Sequence, residues 1–211
     1  MKLVTDGYGV FFEMARAQSV KKALLFQLEI GERKHPKETK LQKGDIYNIS
    51  NPFIYGKVNY FYPVKLGVQK QFLFGNKGNK NGVGITGNAG GGISLALLRP
   101  YMLDLQDNDG SGNHKFRKYD PNDTSLAFFD FSRILGGPSI GTGWNKLTLT
   151  PGLYLKAAAR FDFGKYNEMV NALEVGVTGE FYSKKIPQMA FNKERKFFFS
   201  AYVSLMFGKR K

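Results

Sequence analysis

The residues best suited to chemistry lie in one polar segment. His114 follows Asp107, Asp109 and Ser111, and a histidine beside a carboxylate and a hydroxyl is the set that many hydrolases use for nucleophilic attack. The run from Asp107 to Ser111 also begins like a calcium-binding loop, but it lacks the full spacing and the closing glutamate. A polar surface turn has the same composition, so we expect neither catalysis nor a metal site here.

A second set of ionisable residues recurs at alternating positions of strand-like segments. Its members are Glu13, Glu29, Lys65, Lys156, Arg160, Asp162, Glu174 and Glu180. Alternation places them on one face of a sheet, and in a closed sheet that face is the lumen. Eight strands leave an interior just wide enough for side chains, and buried charges must be paired. We therefore favour an ion-pair network that plugs the interior, with a polar path or proton relay as the alternative.

The composition narrows the class of protein. The 211 residues include 25 Gly, 19 Phe and 11 Tyr but no Cys, which excludes disulfides and cysteine-based metal sites. No apolar run reaches about 18 residues, so the sequence predicts no transmembrane helix. The net charge is +14, but the basic residues fall in predicted turns and at a strand end rather than in one stripe. This placement suits anionic head groups better than nucleic acid.

Seven long segments show the period of two that is typical of β-strands. They span residues 3–15, 23–32, 58–74, 82–98, 147–163, 172–182 and 196–209. In each, one face is a continuous apolar stripe and the other is polar or small. Lys70 is the one residue of the third segment that disagrees with its apolar face.

The connections alternate in length along the chain. Those at 16–22, 75–81 and 164–170 are short, whereas those at 33–57, 104–146 and 183–195 are long. Short turns on one side and long loops on the other are typical of outer-membrane barrels, whose long loops face outward.

Aromatic residues on the apolar faces cluster near the strand ends. They are Phe72, Phe74, Phe161, Phe163 and Phe207 on the short-turn side, and Tyr60, Tyr62, Phe181, Phe197 and Phe199 on the long-loop side. Between these two belts the apolar face is aliphatic, which is the pattern expected at the two interfaces of a membrane. The sequence thus predicts one domain, residues 1–211, forming an all-β, transmembrane, antiparallel up-and-down β-barrel of about eight strands.

The longest loop, 104–146, is too apolar to remain free in water. It contains Phe128, Phe129, Phe131 and Trp144, and we expect it to fold back as a cap or to dock an outer-membrane protein partner. The loop 33–57 begins with several lysines. Its predicted position just outside a membrane suggests contact with lipopolysaccharide phosphates, and a solvated run of charges is the alternative.

Five stretches of the chain resemble small outer-membrane β-barrel proteins of the Bacteroidota type. They are DGYGVFFE (6–13), GERKHPKE (31–38), GNKGNKNG (75–82), LLRPY (97–101) and the terminal YVSLMFGK (202–209). The resemblance implies a bacterial outer-membrane location and an unassigned role, and the five stretches carry no catalytic residues.

Seven strands raise a topological problem. With the C-terminus on the periplasmic side they place Met1 outside, yet single-chain bacterial barrels have an even number of strands. We expect a further strand before Met1 or hidden within a loop.

The expected function is a structural or partner-docking role through the long outer loops, with membrane lipid and lipopolysaccharide as contacts. A narrow pore for small solutes is the first alternative. An outer-leaflet lipid-modifying enzyme is the second, and no cofactor or nucleic-acid partner is expected.

Overall fold

A computed structural model describes residues 1–45, 48–76, 82–107, 113–122, 127–164 and 169–209. Its strands are β1 (Lys2–Val4), β2 (Gly7–Ser19), β3 (Lys22–Arg33), β4 (Lys40–Leu41), β5 (Gly44–Asp45), β6 (Asn48–Ile49), β7 (Phe53–Ile54), β8 (Asn59–Gly75), β9 (Gly84–Pro100), β10 (Met102–Gln106), β11 (His114–Lys118), β12 (Ile134–Gly136), β13 (Thr148–Asp162), β14 (Met169–Ile186) and β15 (Arg195–Lys209). Two short 3₁₀ helices, Ala127–Phe129 and Trp144–Lys146, complete the described elements. None of the helices in these ranges is both long and apolar enough to cross a membrane.

Eight of the strands form one antiparallel sheet that closes into a ring. Their order is β1-β15-β14-β13-β9-β8-β3-β2, so each strand pairs with its neighbours in the chain once the long loops are discounted. Within each strand, alternate side chains point into the ring and away from it, as the pleat requires. The predicted all-β antiparallel architecture of about eight strands is confirmed.

The predicted first strand is wrong in one respect, because residues 3–15 form two strands. Thr5 and Asp6 make a tight turn, after which β2 pairs back on β1 with Leu3 opposite Tyr8. Leu3 and Tyr8 both point outward although one position is odd and the other even. A single strand cannot satisfy both, so the chain must reverse between these two residues. This hairpin supplies the eighth strand.

The ring closes over a short length. Strand β1 pairs with β15 and β2 through only three residues each. Beyond this hairpin, the outer edge of β2 from Val10 onward has no partner strand among the described residues.

Glycines in β9 allow its neighbours to approach closely. A Cβ atom on Gly90 would lie 2.2 Å from the carbonyl oxygen of Val68. Such a contact is a steric clash, so a side chain at this position would push β8 and β9 apart. Gly92 makes a similar approach, because a Cβ atom there would lie 2.2 Å from the carbonyl oxygen of Leu66.

The long connections lie at one end of the ring, which we call the loop side. The other end is called the turn side. The loop-side connections fold together into a cap. The cap contains the sheet β11-β10-β12 and the pairs β4-β7 and β5-β6. Its apolar core consists of Phe53, Ile54, Tyr101, Leu103, Leu105, Ala127, Phe128, Ile134 and Met189, which come from all three predicted loops or their flanks.

Candidate functional site

The loop-side half of the interior holds a chain of alternating charges, the loop-side cluster. Arg33 pairs with Asp6 (Nε to Oδ2, 2.9 Å) and with Glu180 (Nη2 to Oε1, 2.9 Å). Lys65 bridges the same Glu180 oxygen (2.7 Å) to Glu29 (3.0 Å). Lys2 completes the chain with its Nζ atom 2.8 Å from Glu29.

The turn-side half holds the second group, the turn-side cluster. Arg160 donates to both carboxylate oxygens of Glu13, at 2.8 and 2.9 Å. It also contacts Glu174 through Nη2 at 2.7 Å, and Lys156 contacts the other oxygen of Glu174 at 2.8 Å. Asn88 donates to Glu174 as well (2.8 Å). A planar guanidinium shared by two carboxylates is well suited to such a buried site.

The two clusters are joined and neutral. Gln27 accepts a hydrogen bond from Lys156 (3.0 Å) and donates to Glu29 (3.4 Å), which links one cluster to the other. The loop-side cluster has three cations and three carboxylates, and the turn-side cluster has two of each. Each charge in the two clusters therefore has a partner of opposite sign.

Above the loop-side cluster the interior becomes apolar. Phe61, Ala96, Leu98, Tyr182, Ile186 and Phe198 form a buried group there. The rings of Phe61 and Phe198 lie 5.4 Å apart, and the guanidinium of Arg33 stacks 4.9 Å from the Phe198 centroid. This aromatic layer covers the charge network at its loop-side end.

All eight sequence-predicted interior residues point into the ring. Seven belong to the two clusters, whereas Asp162 accepts a hydrogen bond from the backbone N–H of Gly164 at the turn side. Sequence reasoning missed Lys2 and Arg33 because they lie just outside the predicted strands 3–15 and 23–32. It missed Asp6 because an unbroken strand 3–15 would place this even-numbered residue on the apolar face. The inward parity of Lys2 becomes visible only once the turn at Thr5 and Asp6 is recognised.

The outward face of the ring is apolar and exposed. Leu155 is 73% exposed, and the aliphatic residues around it are similarly open. Of the predicted belt residues, Phe74, Phe163, Phe181, Phe197, Phe199 and Phe207 are exposed, and Tyr60, Tyr62, Phe72 and Phe161 are half-buried. All ten lie near the ends of ring strands.

The cap divides the predicted docking residues into two pairs. Phe128 is 5% exposed within the cap core, and Phe129 packs against that core. Phe131 and Trp144 are 49% and 47% exposed. The loop therefore folds back as a cap through its first two aromatics and leaves the last two on the surface.

Hydrogen bonds between loops fix the cap. Lys43 donates to the backbone oxygens of Phe131 and Ser132, both at 2.9 Å, which ties loop 33–57 to loop 104–146. The Ala190 N–H donates to the Gly56 oxygen (2.8 Å), which brings in the third loop.

An aromatic and cationic stack connects the cap to the ring. Trp144 stacks on Tyr62 with centroids 5.8 Å apart, and Arg99 lies between Tyr60 (4.1 Å) and Trp144 (4.8 Å). Trp144 is the sole tryptophan of the chain. Its fluorescence therefore reports on the contact between cap and ring.

Lys57 and Glu38 form a buried ion pair beneath the cap, with Nζ and Oε2 2.6 Å apart. Burial lowers the pKa of Lys57, and the Glu38 carboxylate opposes part of that shift. Nearby, His35 accepts a hydrogen bond from the Lys37 N–H at Nδ1 (3.2 Å). Partial burial lowers the pKa of His35, with Arg195 and Lys37 adding to the shift and Glu38 opposing it.

The two described residues with catalytic potential, Asp107 and His114, each pair with a different partner. His114 contacts Asp104 (Nδ1 to Oδ1, 2.8 Å) on an exposed edge of the cap, while Asp107 pairs with Arg117 (2.8 Å). Asp109 and Ser111 lie outside the described residues. Across the described ranges, no three His, Asp or Glu side chains are grouped so that they could hold a metal ion.

Comparison with known proteins assigns no relative. No protein-family model matches the chain. Neither a curated protein nor a solved structure matches it significantly.

Proposed function

We propose that the protein is a non-conducting β-barrel of a bacterial outer membrane, with a structural or partner-docking role carried by its cap. The observation that carries this proposal is the combination of an apolar exposed exterior with a charge-paired, aromatic-capped interior. The first feature suits hydrocarbon, and the second is the interior expected of a barrel that does not conduct.

The exterior supports the membrane part of the proposal. Soluble monomers rarely expose a contiguous apolar surface beyond a few hundred Å². Here apolar side chains cover the outward face of successive strands, with Leu66 on β8, Ile93 on β9, Leu155 on β13 and Val203 on β15 all exposed. Aromatic side chains border this band at both ends, as they do at membrane interfaces.

The interior supports the absence of conduction. Each charge in the two clusters is held by partners within 3.0 Å, and the aromatic layer around Phe61 and Phe198 covers the loop-side end. Moving an ion through this interior would require breaking buried ion pairs, at a cost of about 3–5 kcal/mol for each partner removed.

The cap supports the docking role. Aromatic residues are favoured in contacts between proteins, and Phe131 and Trp144 are both about half exposed on an ordered surface. Photo-crosslinking amino acids at these two positions should capture an outer-membrane protein in living cells. The same amino acid at the buried Phe128 is the matched control and should capture none. Equal capture at all three positions would contradict a docking surface.

Contact with lipopolysaccharide forms part of the same proposal. Lys34, Lys37 and Lys40 are exposed on the loop side, at the height where lipid phosphates of the outer leaflet would lie.

Planar-bilayer recording tests the non-conducting role. The purified protein should insert without steady ion current at moderate voltage. Stable channels of uniform conductance would instead favour the narrow pore. Altered lipid A in expressing cells, lost in His114→Ala, would favour the enzyme.

A further inference from the structure

Three cations point outward on the turn side of the ring, where the surrounding face is apolar. Arg16 on β2 lies opposite Leu24 on β3, and Leu24 lies opposite Lys70 on β8. Lys22 is two residues before Leu24 and therefore on the same face. All three cationic side chains are exposed. Since adjacent strands are about 4.8 Å apart, the three charges fit around a single headgroup.

These cations lack acidic partners within the described structure. The acidic side chain of β2 on this side, Glu13, points into the ring and binds Arg160. Asp162, at the turn-side end of β13, is also buried inward. Among the residues that the structure describes, the outward patch of Arg16, Lys22 and Lys70 is thus a concentration of positive charge with no acidic side chain paired to it.

An apolar groove begins beside this patch. Lys70 pairs with Ala89, which forms part of the groove floor with Gly87, Ala157 and Gly176. Phe72, Phe74, Val175 and Val177 form the walls of the groove, whose volume is about 450 Å³. Paired residues form a row across four adjacent strands, from Lys70 through Ala89 and Ala157 to Val177. This row lies farther from the turn-side end at Val177 than at Lys70. The groove therefore leads from the charged patch toward the middle of the apolar band.

The groove depends on small residues. A Cβ atom on Gly87 would lie 2.4 Å from Cε2 of the Phe74 ring, so a larger residue there would displace that wall. Ala157 and Ala159 are also small, so the neighbouring part of β13 does not fill the groove.

We propose that this surface binds an anionic phospholipid, with its phosphate held by Arg16, Lys22 and Lys70 and one acyl chain in the groove. The proposal rests on the membrane location proposed above. Charge complementarity selects an anionic headgroup, and the apolar lining suits a hydrocarbon chain. The position on the turn side selects a phospholipid of that leaflet rather than lipopolysaccharide on the loop side.

Native mass spectrometry of the full chain in detergent, with added phosphatidylglycerol or phosphatidylcholine, tests the headgroup part. Each membrane-surface cation contributes about fivefold to the affinity for an anionic lipid. The double variant Lys22→Gln/Lys70→Gln should therefore bind phosphatidylglycerol about 25-fold more weakly, with phosphatidylcholine binding unchanged. The control Lys184→Gln/Lys185→Gln removes the same charge from exposed loop-side positions and should bind both lipids like the wild type.

A second pair of variants tests the groove. Ala157→Phe fills the floor of the groove and should weaken the binding of both lipids by a similar factor. Ala201→Phe is its control, because Ala201 is an exposed alanine of the same register row outside the groove. Both substitutions face outward, so folding is not at risk from core packing.

The outcomes separate the site from the function. Equal binding of the two lipids by the wild type would overturn the proposed lipid site. Equal losses of lipid affinity in the variants and their controls would overturn it too. A chain that fails to enter bilayers at all would reject the membrane role itself, whereas an inserted chain without lipid preference would reject this site alone.

Discussion

Replacing Glu174 with leucine should be among the most damaging single changes in the interior. The Glu174 carboxylate is 1% exposed and accepts from Lys156 (2.8 Å), Arg160 (2.7 Å), Asn88 (2.8 Å) and Tyr202 (2.8 Å). Arg160 would keep another carboxylate, but Lys156 would lose its carboxylate partner. One orphaned buried charge costs about 3–5 kcal/mol, and two unsatisfied neutral donors add about 1 kcal/mol each.

The expected loss is thus about 5–7 kcal/mol, which is comparable with the whole stability of many domains. Urea titration of the protein in lipid vesicles, followed by the far-ultraviolet circular dichroism of the strands, measures the free energy of unfolding. The double variant Lys156→Met/Glu174→Leu removes the orphaned ammonium and leaves Arg160 paired with Glu13. It should recover about 3 kcal/mol of the loss.

Two results would refute this reasoning. A Glu174→Leu protein within about 1 kcal/mol of the wild type would mean that water reaches the cluster. A double variant no more stable than Glu174→Leu would mean that the ion pair with Lys156 is not what the carboxylate stabilises.

Three further predictions concern the cap and the ring. Glu38→Gln leaves the buried Lys57 ammonium without its carboxylate, so it should destabilise the cap by about 3 kcal/mol and shift the emission of Trp144. Because burial lowers the pKa of His35, the neutral imidazole contributes to the stability of the folded cap above pH 6.5. This contribution is lost as the pH falls through the lowered pKa of the folded state. Proteolysis of the cap should therefore accelerate between pH 7 and 5, and His35→Gln should reduce that acceleration. Gly90→Ala forces a Cβ atom against a carbonyl oxygen 2.2 Å away, and it should lower the urea midpoint, whereas no change would contradict the close strand approach.

The alternation of residue types was enough to predict most of the ring. Six of the seven predicted strands agree with β3, β8, β9, β13, β14 and β15 to within a few residues at their ends. The signal is strong because one face of each strand is apolar along its whole length, so a one-residue error would reverse every side chain.

The start of the chain escaped this reasoning for a physical reason. Three-residue β1 is too short to show a period, and the turn at Asp6 joins two segments that both look strand-like. The alternation also assigned the interior charges to one face, but it did not predict which of them pair. The partners of Arg33, for example, lie 147 and 27 residues away along the chain.

The cap was predicted only in outline. The apolar content of loop 104–146 indicated that it must fold, but its core also draws Phe53 from loop 33–57 and Met189 from loop 183–195. Contacts between loops of irregular length have no periodic signature. The division between buried Phe128 and exposed Phe131 therefore required the structure.

The solvent that contacts the outward face decides the whole account, and single-cysteine spin labelling measures it directly. The chain has no cysteine, so Leu155→Cys, Val203→Cys and the inward-facing Ser204→Cys each give one labelled site. In lipid vesicles, labels at 155 and 203 should collide readily with oxygen and rarely with a water-soluble nickel complex. A label at 204 should collide rarely with either. Frequent collisions of the nickel complex at 155 and 203 would show that water, rather than hydrocarbon, covers the apolar face.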